Sequence, residues 1–280
     1  MELLGVIGNP ISHSLSPVMH EAALRATGKA GIYLPLLVEE KRLAQAIYGA
    51  QALGFTGLNV TVPFKEKVIP YLTSLTPEAQ RIQSVNTISF QGDQIIGHST
   101  DGPGFMRAVE SELEIDFTGK TILVIGAGGA ARAIVAELSK FPCRLVLVNR
   151  TLERATKLAH DLSGSSLAEF TVLPLIESVI KPVMGDVDVI INTTSVGMAA
   201  THTQTPISPA LLNLRQHIVI DIIYNPQESQ LLKVAKQRGC RVQNGVGMLV
   251  YQAVLAWDFW WGQTPPVDVM FEAIKASLPV

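Results

Sequence analysis

Residues 121–132, TILVIGAGGAAR, and residues 149–154, NRTLER, decide the architecture of this 280-residue chain. The first stretch is an apolar, β-branched run that breaks at a glycine turn and continues into small residues suited to a helix. Strand, glycine turn and helix in that order leave backbone N–H groups at a helix N-terminus, where a pyrophosphate can sit. Gly126 permits the tight turn, Gly128 lets backbone approach a ligand, and Ala131 takes the third small position. Gly126, Ala127, Gly128, Gly129 and Ala130 are therefore expected to bind a dinucleotide; alone, the same pattern could be a structural turn, and the strand before it and βα repeat after it favour the binding role.

The second stretch falls at the end of the next strand, where an NAD-binding sheet usually carries an acid for the ribose 2′-OH. Here stand Asn149, Arg150, Thr151 and Arg154. A guanidinium can stack on adenine and hydrogen-bond a 2′-phosphate, so the expected cofactor is NADP(H). The bland alternative is a pair of solvated surface arginines.

Outward from this point the pattern alternates. Strands are expected at 121–125, 143–148, 169–173, 187–192, 217–223 and 241–243, with helices at 129–140, 151–163 and 227–239. Six such strands fit a Rossmann-type doubly wound sheet. Towards the N-terminus, 2–8 reads as a buried strand. A helix follows with Ser16 as N-cap and Pro17 in its first turn, ending at Gly28. Further strands are expected at 32–38 and 55–63, helices at 41–53 and 64–72, a hairpin about Gly92-Asp93, and a connecting helix over 101–116. After Gly245 the chain is helical to its end, with no strand to pair, and should return to the first region. The fold class is α/β with two domains: a substrate domain formed by 1–101 with 246–280, and an NADP-binding domain over 102–245.

Composition narrows the partners. Apolar residues make up 48% of the chain, charged residues 16%, and the formal net charge is −2. Nucleic acid requires a basic face, so an anionic ligand must be held by a local site, and a small-molecule substrate is expected instead. Cys143 and Cys240 are too few for a disulfide framework and read as buried, reduced thiols of a cytoplasmic protein. The opening MELLGVIGNP has no signal-peptide pattern, and no apolar run is long enough to span a membrane. The six histidines show no metal-ligand spacing, so no metal is expected. Nothing encodes oligomeric state, which leaves monomer and homodimer both open.

The groups for chemistry lie in the first domain. Ser14 and Ser16 precede a helix, a position suited to binding a carboxylate; Ser16 could equally be a plain cap. Asn59, Thr61 and Lys65 stand at a strand end and the turn after it. Lys65, in an apolar segment, is a candidate general acid/base or an exposed lysine. Asn86 and Asp101 end apolar runs. An Asp101–Lys65 pair would orient the ammonium.

At these residues the chain resembles the shikimate dehydrogenase family over nearly its whole length. The motifs are GNPISHSLSPVMH at 8–20, GLNVTVPFK at 57–65, SVNT at 84–87, STDGPGF at 99–105, GAGGAAR at 126–132, NRTLERA at 149–155, NTTSVGM at 192–198, DIIYNP at 221–226 and NGVGMLVYQA at 244–253. The resemblance implies NADPH-dependent, reversible reduction of 3-dehydroshikimate to shikimate, in the route to aromatic amino acids. It implies that Ser14 and Ser16 bind the substrate carboxylate, with Tyr224 lining that end. Thr61, Asn86, Asp101 and Gln252 would contact ring hydroxyls and carbonyl, with Lys65 as acid/base paired to Asp101. Thr194, Ser195, Ile222 and Gly245 would lie near the nicotinamide half. The chain departs from the family pattern at Ser99, often Asn, and at Gln83-Ser84, often Gly-Ala. A quinate/shikimate dehydrogenase of broader specificity and a non-catalytic NADP sensor are the competing readings.

Overall fold

The ELLGVIG run forms β1 (Glu2–Gly8), and its side chains are buried almost without alternation because parallel strands flank it on both sides. The computed structural model describes residues 1–198, 201–212 and 217–278. By contact the chain divides into one unit of Met1–Gly104 with Leu249–Val280, and a second of Phe105–Met248.

In the first unit β1 is followed by α1 (Ser16–Thr27), β2 (Gly31–Leu37), α2 (Leu43–Ala52), β3 (Gly57–Val60), β4 (Ser74–Leu75), α3 (Pro77–Ile82), β5 (Thr87–Gln91), β6 (Gln94–His98) and the start of α4 (Asp101–Glu112). Among the described residues these strands make one six-stranded sheet, ordered β2-β1-β3-β5-β6-β4. β1 runs parallel to β2 and β3, and β5 is antiparallel to both β3 and β6. The hairpin is as expected: Gln91 pairs with Gln94 across the two-residue turn Gly92-Asp93. One face of the sheet buries Ile7, Leu43, Ile47, Leu58, Val60, Phe64, Val68 and Ile88.

The second unit continues with β7 (Thr121–Ile125), α5 (Gly129–Leu138), β8 (Arg144–Asn149), α6 (Leu152–Ser163), β9 (Glu169–Pro174), α7 (Glu177–Ile180), β10 (Val189–Asn192), β11 (Ile218–Asp221), α8 (Gln230–Gln237) and β12 (Arg241–Gln243). Among the described residues all its strand pairs are parallel, in the order β12-β11-β10-β7-β8-β9. The order reverses between β7 and β10, the switch point of a doubly wound sheet. The tail forms α9 (Val246–Trp261) and α10 (Val267–Ser277), and α10 packs on α1 in the first unit.

Three local expectations are corrected. Ser16 is not the N-cap of α1. Leu15 holds that position without a side-chain bond, and Ser16 N–H is taken by Ser14 Oγ at 3.3 Å. Residues 64–72 are not an α-helix but turns ending in a 3₁₀ segment, Ile69–Tyr71, where Pro70 has no N–H to continue a helix. The strand read over 55–63 pairs only over Gly57–Val60. Conversely, α3 was not expected. Its signal is Thr76-Pro77, with Thr76 Oγ1 accepting from Ala79 N and proline in the first turn.

Candidate active site

The first unit gathers its candidate residues at the ends of β3, β5 and β6. Thr61 follows β3, with its N–H on Ile7 O and its carbonyl accepting from Phe64 N, so the turn that carries Lys65 is pinned to β1. Asn86 precedes β5, and Asp101 opens α4 just after β6. Lys65 Nζ donates to Asp101 Oδ2 at 2.6 Å; their side chains are 15% and 5% exposed. This pair is therefore largely withdrawn from water, yet Lys65 keeps a surface open. Asn86 Nδ2 donates to the other carboxylate oxygen, Asp101 Oδ1, at 3.0 Å. It also donates to Gln252 Oε1 at 3.2 Å, while Gln252 Nε2 is held on Leu249 O.

Gln252 arrives from α9 because α4 lets it. A Cβ on Gly104 would stand 2.7 Å from Gln252 N, so only glycine allows this approach of the two helices. The structure thus brings Lys65, Asp101, Asn86 and Gln252 into one hydrogen-bonded group. Ser14 and Ser16 sit together at the start of α1, Ser16 buried and Ser14 partly exposed. Among the described residues no direct hydrogen bond joins these serines, or Thr61, to Lys65, Asp101, Asn86 or Gln252.

In the second unit every candidate cofactor residue lies at the carboxyl edge of the parallel sheet. Gly126 and Ala127 follow β7, and Gly128, Gly129 and Ala130 lead into α5. Gly126 has φ +114°, and a Cβ there would meet Thr193 Oγ1 at 2.4 Å, so glycine is required twice over. Gly128 differs: apart from its chain neighbours, no described atom lies within 4 Å of where its Cβ would stand. The chain's own packing does not demand that glycine, whereas a pyrophosphate laid on the N-terminus of α5 would. α5 begins without a side-chain cap. The turn and helix therefore fit a dinucleotide phosphate.

Asn149 ends β8 and donates Nδ2 to Thr151 O at 2.7 Å, which shapes the turn presenting Arg150. Arg150 and Thr151 are exposed, and Arg154 is exposed in the first turn of α6. Thr194 and Ser195 follow β10, Ile222 and Tyr224 follow β11, and Gly245 follows β12. Gly245 N donates to Ile223 O at 2.9 Å, joining two of these loops. Burial pushes the Tyr224 phenol above its ordinary range.

Two groups that hold this edge escaped the sequence reading, Asn192 and Asp221. Both are fully buried. Asn192 Oδ1 accepts from Thr194 N and Oγ1, and its Nδ2 donates to Asp221 Oδ1. Asp221 also accepts from Ile223 N and Ser229 Oγ. Burial raises the Asp221 carboxyl to about 6, against the pull of these donors. In the sequence each is a polar residue ending an apolar strand and opens one of the family motifs, NTTSVGM and DIIYNP, in which no role was assigned to it.

Comparison with known proteins bears on the family and the fold. The family model described as shikimate dehydrogenase substrate binding domain matches residues 6–88, shikimate / quinate 5-dehydrogenase matches 107–228, and the shikimate 5′-dehydrogenase C-terminal domain matches 245–275. A shikimate dehydrogenase (NADP(+)) of Geobacillus kaustophilus is 44% identical over 280 residues, covering 99% of each chain. The chain belongs to the shikimate dehydrogenase family. Two solved members show how closely the fold is kept. Shikimate 5-dehydrogenase from Thermus thermophilus, in complex with NADP(H) and shikimate, aligns with TM-score 0.85 at 32% identity, covering 99% of this chain and 100% of that one. Quinate dehydrogenase from Corynebacterium glutamicum, in complex with NAD, aligns with TM-score 0.87 at 31% identity, covering 98% and 99%. The family thus holds enzymes named for different substrates and solved with different cofactors on one fold, and the site residues must choose between them.

Proposed function

We propose that this protein catalyses the reversible, NADPH-dependent reduction of 3-dehydroshikimate to shikimate, a step of chorismate and aromatic amino acid biosynthesis. The observation that carries the proposal is the Lys65–Asp101 pair, 2.6 Å apart, partly buried and hydrogen-bonded to Asn86. Such a group can hold a proton at a defined atom beside a bound hydroxyl or carbonyl.

Bound NADPH supplies a hydride to the ketone carbon. Lys65 Nζ gives a proton to the oxygen that becomes the alcohol, and takes it back in the reverse direction. Asp101 fixes the ammonium and, with Asn86, Thr61 and Gln252, offers donors and acceptors to the ring hydroxyls. Ser14 and Ser16 bind the carboxylate. In the second unit Gly126–Ala130 cradle the pyrophosphate, and Asn149, Arg150, Thr151 and Arg154 receive the adenosine 2′-phosphate. Thr194, Ser195, Ile222 and Gly245 line the nicotinamide half.

A cytoplasmic setting is part of the proposal; its support is that Cys143 and Cys240 are buried and unbridged. No helix among the described residues is long and apolar enough to cross a membrane. The test is absorbance at 340 nm with shikimate or quinate as substrate and NADP⁺ or NAD⁺ as acceptor. Turnover confined to shikimate with NADP⁺ is expected. Comparable rates with quinate or NAD⁺ would move the protein to the broader-specificity reading, and binding without turnover to a sensor.

A further inference from the structure

The Lys65–Asp101 pair is the end of a longer chain of buried groups that begins on β2. The register of β3 against β5 sets Asn59 opposite Thr87. From there a sequence of hydrogen bonds runs Tyr33, Asn59, Thr87, Asn86, Asp101, all of them buried.

The direction of every bond can be worked out. Asn59 Nδ2 lies 3.1 Å from the backbone carbonyl of Asn86, which can only accept, so this end of the amide is nitrogen. Asn59 Oδ1 then faces Tyr33, and the phenol must donate, at 2.7 Å. Burial raises the Tyr33 phenol well above its ordinary value, against a side-chain bond with Ser16, so it keeps that proton. Asn59 Nδ2 also donates to Thr87 Oγ1 at 3.2 Å, and Thr87 passes its own proton to Asn86 Oδ1 at 3.0 Å. The Asn86 amide is fixed in turn by Thr100 N, a pure donor, on Oδ1 at 2.8 Å. Its Nδ2 must therefore face Asp101. From Tyr33 onward every bond points towards Asp101, the last acceptor, and no link can reverse while Thr100 N and Asn86 O stay in place. Bonds aligned in one direction polarise one another.

We propose that Tyr33 and Thr87 are positioning residues of the reaction: through this one-way chain they hold and polarise the Asn86 amide that Thr100 N turns towards Asp101, and thereby set how readily Lys65 moves its proton. The inference rests on the functional reading above and adds to it two residues outside the ligand-contacting set.

The test is the pH profile of kcat with saturating shikimate and NADP⁺, for wild type, Tyr33→Phe, Thr87→Val and Thr87→Ser. Tyr33→Phe keeps the ring and its stack on His20, 4.4 Å between centroids, and removes the hydroxyl with its donation to Asn59 and its bond to Ser16, so Thr87→Val, which leaves Ser16 untouched, is its control. Thr87→Val keeps the shape and breaks the middle. Each is expected to lower kcat about tenfold, roughly the value of one buried hydrogen bond. Each should also displace the pH midpoint of kcat and leave the KM for NADP⁺ as in wild type. Thr87→Ser, which keeps the hydroxyl, should restore both kcat and midpoint. If either variant folds, the comparison can be made. Wild-type kcat and midpoint in Tyr33→Phe and Thr87→Val, whatever happens to Tm, would overturn the proposal. A wild-type enzyme that does not turn over shikimate would instead overturn the functional reading beneath it.

Discussion

Asn192 and Asp221 end neighbouring strands in register, and Asn192 Nδ2 donates to Asp221 Oδ1 across 3.0 Å in full burial. This bond ties the loop carrying Thr194 and Ser195 to the loop carrying Ile222, because Asn192 holds Thr194 and Asp221 holds Ile223, and Ile222 N on Asn192 O adds a backbone link. Asp221→Ala takes an acceptor from three donors, Ile223 N, Ser229 Oγ and Asn192 Nδ2, of which Asn192 Nδ2 keeps Val196 O at 3.3 Å. The expected cost is about 3 kcal/mol of stability, read by urea unfolding, with weaker NADP⁺ binding in fluorescence titration. Asp221→Asn keeps one acceptor oxygen and should recover much of both. If Asp221→Ala binds NADP⁺ as wild type does, the pair does not hold the cofactor loops.

Lys65 leads to a sharper kinetic expectation. In the proposed reaction its Nζ exchanges the proton, while Ser14 and Ser16, elsewhere on the unit, would hold the carboxylate. Lys65→Ala should therefore lower kcat about 10²–10⁴-fold and change the shikimate KM only a few-fold. Steady-state kinetics in the oxidative direction separates the two quantities. Retention of full turnover would remove Lys65 from the chemistry.

The parts of this site that were legible in the sequence are those set by local rules. The glycine turn at 126–128, the hairpin at Gly92-Asp93 and the αL stop at Gly28 each follow from backbone geometry that few residues tolerate. Lys65 and Asp101 could be named as candidates, but not their 2.6 Å separation, which depends on strand register. The error at Ser16 is local: Ser16 lies inside the helix, its own N–H donates to Ser14 Oγ two residues earlier, and no side chain caps α1. His20 was invisible for a different reason. One histidine on an apolar helix face says nothing until Tyr33, Trp257 and Trp260 close around it.

Arg150 stands directly after β8 on a turn shaped by Asn149. A 2′-phosphate there would gain a charge-assisted bond that a 2′-hydroxyl cannot provide. Arg150→Ala is expected to raise the KM for NADPH about tenfold or more and to leave the KM for NADH nearly unchanged. Reduction of 3-dehydroshikimate with each cofactor measures both. Equal changes would show that Arg150 serves the fold or the adenine, not the phosphate.

The last expectation concerns acid stability. His20 is fully buried in its aromatic slot, with neither ring nitrogen hydrogen-bonded, and burial pushes its imidazole down to about 3. Burial likewise lowers His98 to about 4. In the unfolded chain both protonate near the ordinary value of 6.5. As pH falls from about 6.5 towards 4 the unfolded state therefore binds two protons that the folded state refuses, and stability drops. Asp221 acts with the opposite sign. Its carboxyl protonates near 6 when folded but only near 3.8 when unfolded, so between those values it returns stability as pH falls. For these three groups the balance between about pH 6 and 4 is an uptake of about one proton on unfolding, and urea midpoints should decline across that range. His20→Phe keeps a flat ring against Tyr33 and has no nitrogen to protonate. It should flatten the decline and raise the midpoint at about pH 5 by more than at about pH 7.5. A slope identical to wild type would mean that His20 finds a hydrogen-bond partner or a route to water.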